Sequence, residues 1–158
     1  MILPSLKNIN LFNLILRERV IRCYPFCLDL NYDRKLGITQ AQWETSDVNV
    51  IAEVLLKDLR RLKLSCKIVD KTYVPSANEK LLALKVGIMW VHGDYLHYVD
   101  YHIIVKRQDG HWYSKFGDLP PEQLPLGTDI ELWNWRDSDG EVPENHYNSE
   151  IVYVAVKC

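Results

Sequence analysis

Asp100-Tyr101-His102-Ile103-Ile104-Val105-Lys106-Arg107-Gln108-Asp109-Gly110-His111-Trp112-Tyr113-Ser114-Lys115-Phe116 is the stretch on which the fold turns. Its first half is rich in β-branched and aromatic residues, which fit a pleated surface, and the strand extends over Tyr98–Arg107. Asp109-Gly110 supplies a two-residue turn, and His111–Phe116 returns antiparallel. Gly117-Asp118-Leu119-Pro120-Pro121 ends the hairpin.

Outward from the hairpin, Leu81–Val91 is a long apolar run that suits a central, buried strand. Lys67-Ile68-Val69, within residues 66–73, reads as a short strand, and Ile130–Trp135 and Ile151–Val156 as two more. The segment before them is helical in pattern. Ser46-Asp47 is an N-cap signal, and Val48, Ile51, Ala52, Leu55, Leu56, Leu59 and Leu62 follow at helical spacing. Pro25 fits only the first turn of a helix or a place outside one, so if a helix forms here it begins close to Cys23. Residues 31–45 read as an irregular loop, and residues 1–19 as a lead-in, helical from Ser5. Helices followed by an antiparallel sheet make an α+β fold, expected as one domain over residues 1–158.

The chain has 158 residues, of which 47% are hydrophobic, a composition that argues against disorder. A net charge of −2, with acids and bases interleaved, gives no support to nucleic-acid binding. Arg17, Arg19 and Arg22, with Arg34 and Lys35, read as a solvated face. No apolar run approaches the roughly 18 residues needed to span a bilayer, and the short stretch Leu11–Leu16 runs straight into Arg17-Glu18-Arg19, unlike a secretory signal. Cys23, Cys27, Cys66 and Cys158 do not follow a zinc pattern. The expectation is a soluble protein of the reducing cytoplasm that needs no metal or organic cofactor.

Two residues carry candidate chemistry. A cysteine at a helix start lies where backbone N–H groups favour a thiolate and an oxyanion, which makes Cys23 a candidate nucleophile. His102, within a strand, is placed to meet such a thiolate across a helix–sheet interface. His92 and His97 fall in a loop around Gly93, His111 at the hairpin turn and His146 in a polar connection; these four read as surface residues. Trp90, Trp112, Trp133 and Trp135 read as core.

Arg22-Cys23-Tyr24-Pro25-Phe26-Cys27-Leu28 resembles the Asn-Cys-Tyr-x-Tyr-Ala-Leu segment of a papain-like cysteine peptidase family. The hairpin is similar to that family's Asp-Tyr-His, Arg-Gln, Asp-Gly-x-Trp and Lys-x-Gly pattern. The resemblance spans roughly residues 20–118, with Tyr147–Val156 as a further candidate segment. It implies a papain-like fold in which Cys23 is the nucleophile and His102 the general base, acting on peptide or isopeptide bonds of a protein or peptide substrate. The same residues would serve deamidation or acyl transfer, and a papain-like domain can also bind a partner without catalysis. Arg22 stands where the family has Asn, which alters the oxyanion site.

A third member would orient the imidazole. With Asp109 and Gly110 as the turn, Gln108 pairs with His111 and His102 falls opposite Gly117, next to Asp118. Compact viral leader proteases of papain type have an Asp at a similar remove from the His, which makes Asp118 the expected third member and Asn134 the reserve. Asp109 is too far along the strand, and Ser114 and Lys115 are poor orienters.

Overall fold

The computed structural model describes residues 22–91, 96–116, 120–135 and 145–157. Among the described residues, three helices precede the sheet: α1 (Cys23–Cys27), α2 (Gln40–Glu44) and α3 (Val48–Arg61). Seven strands follow among these residues: β1 (Cys66–Val69), β2 (Glu79–Val91), β3 (Leu96–Lys106), β4 (Trp112–Ser114), β5 (Glu122–Gln123), β6 (Asn145–His146) and β7 (Val152–Lys157). The sheet order is β1-β7-β2-β3-β4-β5, with β6 beside β2, and every pairing is antiparallel. The fold is therefore α+β, with the helices first in the chain. The last strand lies inside the sheet, between β2 and β1, and leaves β1 at the edge.

Helix α3 forms where the apolar spacing predicts it. Asp47 caps it by accepting from Asn49 N at 2.9 Å, and Arg60 and Arg61 occupy its last turn, where cations suit the negative end of the helix dipole. Val48, Ile51, Ala52, Leu55, Leu56 and Leu59 are all buried. They pack with Tyr24 and Cys27 of α1 against Leu82, Leu84, Val86, Ile103, Val105, Val152, Val154 and Val156. Each such Leu or Ile side chain stabilises by about 1.5–3 kcal/mol relative to exposure.

Strand side chains alternate between faces, so the neighbouring positions build a second core. Leu81, Ala83, Ile104, Trp112, Phe116 and Tyr153 face away from the helices and pack with Leu124, Ile130, Trp135 and Tyr147. Residues 120–135 cover this face. The expected strand Ile130–Trp135 is instead a turn: Asp129 Oδ1 accepts from Glu131 N at 3.0 Å, and the Trp135 indole donates to Ile130 O at 2.8 Å. Its two ends are buried while Leu132 is 85% exposed, so the apolar residues anchor a loop rather than line one face of a strand.

The expected loop 31–45 contains α2. Thr39 and Gln42 form a reciprocal capping box, with bonds of 3.2 and 2.8 Å, a Thr-x-x-Gln signal that the sequence carries in plain view. The hairpin also differs by one residue. Arg107 N donates to His111 O at 3.1 Å and Gly110 N to Arg107 O at 3.0 Å, so the loop holds three residues, Gln108–Gly110. Gly110 supplies the positive φ of 86° that closes such a loop. The pairs are Val105 with Tyr113 and Lys106 with Trp112. A one-residue change in register moves every returning side chain to the other face, and this decides what His102 meets. Among the described residues, no helix is long and apolar enough to cross a membrane.

Candidate functional site around Cys23 and His102

Helix α1 is short, and contacts at its ends and middle fix its position. Arg22 is extended (φ −83°, ψ −176°), and its carbonyl accepts from Phe26 N at 3.1 Å to open the first turn. Its own N–H donates to Asp33 Oδ1 at 3.1 Å, and its guanidinium lies 3.7 Å from the same carboxylate, out in solvent. Tyr24 donates to Asp58 of α3 at 2.6 Å, and Arg34 grips that carboxylate with two bonds of 2.7 Å. Burial raises the carboxyl pKa of Asp58, but the hydrogen bonds from Arg34 and Tyr24 outweigh it and hold the group ionised. After the helix, Asp29 is held by Lys80 of β2 and by Arg107, whose Nη1 lies 2.9 Å away.

This places Cys23 and Cys27 against the edge of β3 at Ile103. The N–H groups of Ile103 and Tyr24 point to the Cys23 sulfur, and Cys27 Sγ donates to Ile103 O at 3.5 Å. The bridges of the β3–β4 ladder reach only to Val105, so the two sulfurs meet polar edge groups of Ile103. Cys23 is buried, and desolvation pushes its thiol up to about 12. The two N–H groups and the charge of Lys115 act in the other direction and do not overcome the burial. Lys115 is itself buried, 1% exposed, although the sequence pattern gave it no role.

His102 lies on the other face of the sheet. Tyr101, Ile103 and Val105 face the helices, and His102 and Ile104 alternate with them. The His102 ring stacks on Phe116 at 4.0 Å, with Tyr147 at 5.3 Å and the edge of Trp135 at 6.1 Å. Its Nε2 shares a hydrogen bond of 2.9 Å with Ser114 Oγ. Tyr147 in turn donates to Asp100 at 2.8 Å. Desolvation lowers the imidazole pKa to about 3, so the ring is neutral at ordinary pH.

The hydrogen-bond partner of the His102 ring is Ser114, while Cys23 lies beside Ile103, the next residue of the same strand. The two-residue period of the strand puts Tyr101 and Ile103 in the core that holds Tyr24 and Cys27 of α1, and the His102 ring among Phe116, Trp135 and Tyr147. Ser114, expected to be a poor orienter, holds the ring because the three-residue hairpin loop brings it to the His102 face. Asp118 lies outside the described residues. Asn134 is exposed in the loop after Ile130. Among the described residues, no group of three or more His, Cys, Asp or Glu is placed to hold a metal ion. No protein-family model, curated protein or solved structure matches the chain.

Proposed function

We propose that this chain is a papain-like domain that acts by binding a protein or peptide partner and not by hydrolysis. The observation that carries the reading is that the buried His102 ring shares its hydrogen bond with Ser114 among aromatic rings, while the candidate thiol is itself buried. A general base has to lie within hydrogen-bond reach of the proton it takes, and a cysteine nucleophile reacts as its thiolate. Here the thiol is pushed up to about 12 and the imidazole down to about 3, the reverse of an activated pair. Arg22, in the position of the family's Asn, spends its side chain on Asp33 in solvent.

A specific feature supports the second reading, a thiol hydrolase with Cys23 as nucleophile. The Cys23 sulfur sits at the first residue of a helix and faces two backbone N–H groups, the environment that favours an anion. An epoxysuccinyl peptide, which alkylates activated cysteine-protease thiols, separates the two. The binding-domain reading predicts no adduct on Cys23 in the intact chain by peptide-resolved mass spectrometry. An adduct on Cys23 that disappears in His102→Ala would establish the hydrolase instead.

A further inference from the structure

The edge strand β1 presents unused pairing capacity beside a concentrated positive charge. Lys157 N donates to Ser65 O at 2.9 Å, which makes that pair, and hence the Lys67–Ala155 and Val69–Tyr153 pairs, the hydrogen-bonded positions of the ladder. Cys66 and Ile68 occupy the alternate positions, so their N–H and C=O groups point off the sheet. Among the described residues, none of these four groups has a backbone or side-chain partner. Ile68 is 46% exposed beside them. The strand is tied to the end of α3, since Cys66 Sγ donates to Leu56 O at 3.7 Å and Arg60 acts on the Cys66 thiol.

The charge around this edge departs from that of the whole chain. Lys57, Arg60, Arg61, Lys63, Lys67 and Lys71 are all exposed and lie within residues 57–71 of a chain whose net charge is −2. The acids of that segment are Asp58, buried under Arg34, and Asp70, which accepts from Thr72 at 2.8 Å. None of the six cations forms an ion pair among the described residues. Lysines on a sheet edge discourage pairing with another copy of the same edge, and like charges across a pair repel. They favour a strand of opposite sign.

We propose that the free edge of β1 docks an extended, acidic segment of a partner protein as an added strand. Backbone bonds to Cys66 and Ile68 supply the pairing, Ile68 the apolar contact, and the end of α3 with Lys67 and Lys71 the charge selection. The proposal rests on the binding-domain reading and names the partner's chemistry.

The probe is a fluorescein-labelled peptide of alternating glutamate and valine, measured by anisotropy with the full chain. It binds, and binding weakens as salt rises from about 0.05 to 0.3 M. N-methylation of alternate peptide bonds, in the register that removes the pairing donors, lowers affinity about tenfold. Ile68→Pro lowers it by a similar factor, since the lost N–H faces off the ladder and an edge strand tolerates Pro; the N-methylated peptide gives the same test without altering the fold. Failure of the Glu–Val peptide to bind overturns the proposal. So does binding indifferent to N-methylation, or tighter binding of a single-stranded oligonucleotide of equal charge. An epoxysuccinyl adduct on Cys23 in the same preparation would sink the binding-domain reading, whereas absence of both adduct and peptide binding would sink the edge proposal alone.

Discussion

A histidine whose ring lies flat on Phe116 and whose Nε2 meets Ser114 is held in the neutral form. Stability should record this. An unfolded histidine gains its proton near pH 6.5, while the buried His102 ring resists protonation down to about 3. Between those values the unfolded state binds more protons, so stability present above about 6.5 is lost as the pH falls, at up to about 1.4 kcal/mol per pH unit. His102→Phe removes this dependence, and its urea midpoint should fall less between about pH 6.5 and 4 than that of the parent. Equal slopes for the two proteins would show that the ring is not a buried neutral group. The sequence made His102 legible as a polar residue inside an apolar strand, but not which way it points. Direction along a strand reverses at every residue, and the choice of face depends on register and on which helix docks where. Ser114 was hidden for the same reason.

At the scale of elements, legibility followed the strength of the local pattern. Helix α3 carries both a cap and a full apolar stripe, and Leu81–Val91 is a continuous apolar run; both appear within two residues of the expected bounds. The hairpin was visible from Asp109-Gly110, but its loop length was not, because Asp109 holds His111 N through its side chain at 2.9 Å and adds a residue to the turn. Gly110 is the residue this loop depends on. Its φ of 86° disfavours any Cβ, and a methyl there would meet Leu126 Cδ1 at 3.3 Å. Gly110→Ala should therefore destabilise by about 1 kcal/mol or more, read as a lower thermal midpoint; an unchanged midpoint would mean that the loop accepts another conformation. Ile130–Trp135 misled in the opposite sense. Alternating aromatics imitate a strand, yet Asp129 starts a turn and the Trp135 indole closes it.

In the whole molecule, one sheet separates two environments. Helices α1 and α3 cover the face that receives Tyr24 and Cys27, and an aromatic cluster under residues 120–135 covers the face that receives His102. The order of helices and strands, and so the α+β class, could be read from the chain because each element announces its own period. The juxtaposition of residues from distant elements could not, since it depends on the insertion of β7 beside β2, on hairpin register and on the docking of a five-residue helix. The central claim is that Cys23 and His102 do not form a working pair. The rate of iodoacetamide alkylation at Cys23, followed by peptide-resolved mass spectrometry across pH 5–9, tests it most directly. A buried thiol pushed up to about 12 should react more slowly than a free cysteine, with no rise in rate below pH 8 and no change in His102→Ala. A fast reaction with an inflection between pH 5 and 8 that vanishes in His102→Ala would contradict it.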